Sequence, residues 1–258
     1  MDRHPLRYRG GHAAGSNAAG SNAAGRLALV AGAVLLGSWC RAEAPWSASL
    51  GATSNYVYRG VSQTYNGGAV QLGANYQNPL GWFLGVWGSN VDPYPGTASF
   101  KELDVYGGYT VPLGDEFSVR GTYTHYAYPQ NPLPLDYNHD EIAATLSYLD
   151  VLAATVSYQP DSSAYSDLGV ARRRRTLAYE LTGRWPLGAG VALAAGAGYY
   201  DLHDQFGVGY WAGDVGLSYT YRFLTVDVGR FFSDGTVARL YEDASANGAW
   251  VVTAVLRF

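Results

Sequence analysis

Gly248-Ala249-Trp250-Val251-Val252-Thr253-Ala254-Val255-Leu256-Arg257-Phe258 ends the chain, and its alternation is the key to the architecture. Trp250, Val252, Ala254, Leu256 and Phe258 fall on one face of an extended strand, and Ala249, Val251, Thr253, Val255 and Arg257 on the other. Side chains along a strand point alternately to opposite faces, so one apolar face at a period of two marks a half-buried strand. Residues 103–113 repeat the pattern, with Leu103, Val105, Tyr109, Val111 and Leu113 opposite Glu102, Asp104, Tyr106 and Thr110. Residues 176–187 set Leu177, Tyr179, Leu181, Trp185 and Leu187 against Thr176, Glu180, Thr182 and Arg184.

Twelve such segments follow Trp46. They centre on Leu50, Leu72, Val86, Tyr106, Thr122, Thr145, Thr155, Leu181, Ala195, Leu217, Val228 and Ala254. Their connections alternate in length. Short ones fall at 78–81, 113–116, 149–150, 187–190 and 222–223, and long ones at 60–68, 92–100, 129–139, 160–173, 202–209 and 234–247. An even number of strands with short turns at one end and long loops at the other predicts a transmembrane antiparallel β-barrel. Short turns and both ends of the barrel then face the periplasm. A soluble sandwich has no reason to sort its loops in this way. Two aromatic girdles are expected at the membrane interfaces. Tyr56, Tyr58, Tyr126, Tyr128, Tyr199, Tyr200, Tyr210, Trp211, Phe231 and Phe232 fall near the long loops. Trp46, Tyr76, Trp82, Phe117, Tyr148, Trp185, Tyr221, Phe223 and Phe258 fall near the short turns.

Composition agrees. The chain of 258 residues is 48% hydrophobic but only 15% charged, against about 25% charged in soluble domains. Its mean hydropathy is nevertheless −0.10. The longest apolar run, 27–37, is short of the roughly 20 residues a spanning helix needs, which excludes a multi-span helical protein. Residues 1–44 read as a leader: Arg3, Arg7, Arg9 and Arg26, then an apolar stretch, then Ala42-Glu43-Ala44 as a small-residue cleavage site. Pro45 disfavours cleavage after Ala44, which leaves Ala42 as the fallback. Trp39 before Cys40 fits a lipid-attachment site poorly. The barrel then occupies 45–258. Losing five Arg and two acids takes the 17 basic and 21 acidic side chains to 12 and 19, a net charge of −7. The exported part has no cysteine and one lysine, Lys101, so neither disulfide staples nor nucleic-acid binding fit.

Ser54-Asn55-Tyr56-Val57-Tyr58-Arg59-Gly60-Val61-Ser62-Gln63 is followed by Ala69-Val70-Gln71-Leu72-Gly73 and Gly85-Val86-Trp87-Gly88-Ser89-Asn90-Val91. This run resembles the TorF porin family, also called the Gcw_chp family of proteobacterial outer-membrane proteins. Tyr56, Arg59, Gly60, Ser62 and Gln63 carry the motif. The resemblance implies an exported Gram-negative barrel with channel activity, and it carries over no catalytic residues.

With the apolar face outward, Glu102, Asp104, Arg120, Glu141, Glu180, Arg184, Asp214, Asp227 and Arg257 face the lumen. Inward is the cheap placement, because Arg facing lipid at mid-depth costs roughly 2–4 kcal/mol. These groups either line a wet pore and set its selectivity, or pair across the lumen and plug it. Six acids against three arginines would favour cations or polar neutral solutes. Arg172, Arg173, Arg174 and Arg175 form a basic cluster at the external 160–173 loop. It is a phosphate-binding patch for lipopolysaccharide, an inward constriction, or a solvated edge. Arg230 faces outward by parity, accommodated by a bulge or by a lipid phosphate.

Phe258 reads as the terminal signal for barrel assembly machinery, with an edge strand offered for pairing. Among the histidines after the leader, His125, His139 and His203, no metal spacing occurs, and no cofactor is expected. A lipid-face hydrolase would need His125 and a serine that the sequence does not supply beside it, so no enzymatic activity is expected. Expected partners are outer-membrane lipids, lipopolysaccharide, assembly machinery and small solutes.

Overall fold

In the computed structural model, residues 45–92, 100–131 and 135–258 are described. Residues 1–44, read above as a leader, and Cys40 with them, lie outside the described residues. Twelve antiparallel strands close into a barrel. They are β1 (Trp46–Thr53), β4 (Ala69–Gln77), β5 (Trp82–Val91), β6 (Phe100–Leu113), β7 (Phe117–Ala127), β8 (His139–Tyr148), β9 (Leu152–Ser166), β10 (Gly169–Gly188), β11 (Val191–Leu202), β12 (Val208–Tyr221), β13 (Leu224–Ser233) and β14 (Trp250–Arg257). Each of the twelve centres read from the alternation falls inside one of these strands. A separate small hairpin, β2 (Val57–Tyr58) with β3 (Val61–Ser62), stands apart from the barrel sheet.

The seam is β1 on β14, with Ser49 opposite Arg257 and Thr53 opposite Thr253. Main-chain bonds run both ways between Ala48 and Phe258, at 3.0 and 2.9 Å. Closure leaves no open sheet edge, so each strand pairs its backbone polar groups with two neighbours, as lipid demands. The short connections are tight turns in which Leu149, Asp150, Ala189 and Arg222 adopt positive φ, the twist that two-residue hairpins require.

The outer surface inverts a soluble core. Leu72, Leu103, Val105, Ile142, Leu181 and Leu217 are exposed on it, while their strand neighbours of opposite parity are buried or half-buried inside. At the short-turn end the aromatic girdle is present. Trp46, Tyr76 and Trp82 pack in series at 4.8 and 5.1 Å, and Phe117 meets Tyr148 at 4.9 Å.

The long-loop end departs from expectation in two ways. Tyr56, Tyr58, Tyr126, Tyr128, Tyr200 and Tyr210 are buried rather than facing lipid. Trp211 and Phe232 are exposed on the outer face, and Tyr199 packs on Trp211 at 5.1 Å. Parity explains the split, since adjacent tyrosines such as Tyr199 and Tyr200 must point to opposite faces. The second departure is the 160–173 segment, expected as a loop. Strands β9 and β10 run on through it and leave only Asp167 and Leu168 between them. All four arginines, Arg172 to Arg175, therefore sit on β10 and not in a loop. The 202–209 and 234–247 connections hold short helices, His203–Phe206 and Gly235–Leu240.

Candidate functional site

The first long loop carries the motif residues, and it folds into the barrel mouth. Asn55 organises its base. Ser62 Oγ donates to Asn55 Oδ1 at 2.6 Å, Asn55 Nδ2 reaches Asn66 Oδ1 at 2.9 Å, and Thr64 Oγ1 accepts from the Tyr56 amide at 3.1 Å. Gln63 donates its amide to the Tyr56 carbonyl at 2.7 Å and its side chain to the Val61 carbonyl at 3.2 Å. The hairpin tip is Arg59-Gly60, both at positive φ. Gly60 is required there: a Cβ would lie 2.5 Å from the Cβ of Ala212 on the barrel wall, and its φ of +78° suits glycine.

Two buried clusters hold the loop in place. On one side Tyr56 and Tyr58 pack with Tyr126, Tyr128, Leu135 and Tyr137. On the other, Val61 packs with Leu202, Tyr210, Val237, Leu240 and Tyr241. The helix Gly235–Leu240 supplies part of this second wall, capped by Asp234, which accepts from the Thr236 amide at 2.7 Å.

The loop also meets the lumen carboxylates. Glu102 accepts from the Tyr56 and Tyr128 hydroxyls at 3.1 and 2.8 Å. Two positions along β6 from it, Asp104 is buried on the same inner face. The guanidinium of Arg59 reaches Glu141 at 3.3 Å and Glu180 at 3.4 Å. Its Cζ lies 4.9 Å from the centre of the Tyr58 ring and 5.3 Å from that of Tyr200. Tyr200 donates to Glu180 Oε1 at 3.1 Å, and Gln159 to Glu141 Oε2 at 3.0 Å. Burial works against the Arg59 charge, while the neighbouring carboxylates Glu180 and Glu141 favour it, and its pKa stands above the ordinary guanidinium value. Burial in turn pushes the Tyr58 hydroxyl up.

The inner end of the lumen differs. Arg120, Arg184 and Arg257 lie near the short-turn ends of β7, β10 and β14, and all three are half-buried. Arg120 donates to Thr110 at 3.0 Å and lies 4.1 Å over the Phe83 ring. Arg184 donates to Ser218 at 2.7 Å and Arg257 to Thr225 at 2.6 Å. Asp214 and Asp227 are buried on the inner faces of β12 and β13. The lumen is thus divided: Glu102, Glu141 and Glu180 gather toward the mouth around one intruding arginine, and Arg120, Arg184 and Arg257 lie toward the short-turn end, where Asp227 joins them opposite Ser218.

Outside, Arg173 ties β10 to its surroundings through Asp136 at 2.8 Å and Asp161 at 2.9 Å, and Arg175 pairs with Asp204. Arg174 donates to the carbonyls of Arg172 and Arg173. Arg230 faces outward, 5.6 Å from the Phe232 ring and 5.7 Å from that of Trp250. His125 is also on the outer face, where it and Tyr123 both bond Asp140, at 2.8 and 2.7 Å.

Reading the sequence alone misses Arg59 as a lumen group. One signal for it exists: Tyr126 and Tyr200 lie on the inward parity near the long loops, and buried aromatics there need something to pack against.

A closed barrel with an apolar belt outside and ionised groups inside is a porin-type barrel, and its fold points to the bacterial outer membrane. The chain belongs to the Gcw_chp family, described as a bacterial protein of unknown function, whose model matches residues 41–246. Among solved structures it is similar to the NanC porin, at 12% identity and a TM-score of 0.53 over 82% of this chain and 98% of that one. It is similar to the KdgM porin at 11% identity and a TM-score of 0.50, over 82% and 99%. No curated protein sequence matches the chain.

Proposed function

We propose that this protein is a narrow outer-membrane channel for small polar solutes, of the TorF porin kind, with its first loop as the constriction. The observation that carries the reading is the half-buried set Arg120, Arg184 and Arg257 beneath the loop. Charged groups kept accessible inside a barrel are what a wet, selective passage requires. Twelve strands fall between the filled eight-stranded barrels and the open larger porins, so an in-folded loop is enough to narrow the passage. Export by a cleaved leader, and contact of the exposed Arg172 and Arg174 with lipopolysaccharide phosphates, belong to the same proposal.

The second reading, a plugged barrel with a structural or surface role, is favoured by the dense packing of Tyr126, Leu135 and Leu240 around the loop. Planar-bilayer recording of refolded protein separates the two. Discrete conductance steps are expected. Their absence across salts and voltages ends the channel reading and leaves the plug.

A further inference from the structure

We infer that the cage around Arg59 is a recognition site for organic cations carrying a guanidinium group, which Arg59 fills as a tethered stand-in. The inference rests on the channel reading above and names its solute class. Two carboxylates, Glu141 and Glu180, and two ring faces, Tyr58 and Tyr200, contact the guanidinium. Carboxylate oxygens and aromatic faces are the two partners that planar cations select. Neither kind of contact needs the cation to be attached to the chain.

Glu141 gives the independent sign that the site is built for more than Arg59 takes. Its Oε2 receives both Arg59 and Gln159, while its Oε1 is buried and has no hydrogen-bond partner among the described residues. A guanidinium free to orient pairs with both oxygens of a carboxylate. Arg59, reaching from the hairpin tip, meets Glu141 and Glu180 through the same nitrogen, Nη2. A small cavity beside it, bordered by Tyr58, Thr176, Tyr200 and Gln205, leaves room for the head group to shift. The base of the loop is fastened separately through Asn55, Ser62 and Thr64, so the Arg59 side chain can leave the cage while the hairpin keeps its frame.

The test compares wild type with Arg59→Ala, and with Arg59→Gln, which keeps most of the side-chain bulk. Folding is checked by heat-modifiable gel mobility. In bilayers the variants should conduct more than wild type. L-Arginine on the mouth side should block them at millimolar concentration, whereas sodium glutamate at equal concentration should not. Adding Glu141→Gln and Glu180→Gln should abolish the block. Calorimetry in detergent should show L-arginine binding to the variants at least tenfold more tightly than to wild type. Conducting variants that respond alike to arginine and glutamate, or whose block survives loss of both carboxylates, overturn the inference. If no form conducts, the channel reading fails by itself. Calorimetry then decides the cation site, and absent binding rejects it.

Discussion

A single residue sets the geometry of the mouth. Gly60 allows the hairpin tip to turn at positive φ and to lie against Ala212, which delivers Arg59 to Glu141 and Glu180. A left-handed backbone costs a residue with Cβ about 1–2 kcal/mol, and here the Cβ also collides with the wall. Gly114 offers a control, since it has positive φ but nothing within 4 Å of where a Cβ would stand. Gly60→Ala should therefore lower the thermal unfolding midpoint more than Gly114→Ala and expose the first loop to protease. Equal effects of the two would mean that the hairpin is not wedged on β12. Gly60 and Arg59 are visible in the sequence as part of a dense motif. Their contacts are not, because Arg59 and Glu180 are 121 positions apart and no local pattern links them.

Among the elements, alternation carries most of the information. Each strand exposes its apolar parity to lipid, and the lumen parity takes most of the charge, with Arg230 on β13 turned outward. Alternation misleads where two parities are merged: the external aromatics read as one girdle, although Tyr126, Tyr128, Tyr200 and Tyr210 line the inside. The β9–β10 hairpin misleads for a related reason. Its polar residues and four arginines look like a loop, yet main-chain pairing continues through them with register shifts near Arg174. Strand β14 closes the barrel, and Phe258 adds two main-chain bonds to Ala48 and an exposed outward ring. Deleting Phe258 should reduce the folded, heat-modifiable fraction in the outer membrane. An unchanged folded yield would show that neither the bonds nor the ring matters for assembly.

For the barrel as a unit, the ordering of charge follows from the two solvents it separates. Leu181 faces lipid midway along the apolar stripe of β10, and its neighbour Thr182 faces the lumen between Glu180 and Arg184. Leu181→Arg should cost roughly 2–4 kcal/mol in denaturant unfolding from liposomes. Thr182→Arg should cost clearly less, since that side chain stays in the polar interior. Similar losses at the two positions would contradict the assignment of faces.

Twelve strands, the face of each that meets lipid, and the end that bears the long loops are all legible in the chain before it folds. They follow from a period of two and from local turn chemistry, and both are written in neighbouring residues. Where the first loop goes, and what fills the mouth, emerges only once the barrel is closed. Closure brings β6, β8 and β10 around one axis and gathers Glu102, Glu141 and Glu180 into reach of a single hairpin. The attraction between Arg59 and its two carboxylates, Glu141 and Glu180, acts over ångströms, and chain distance gives no measure of it.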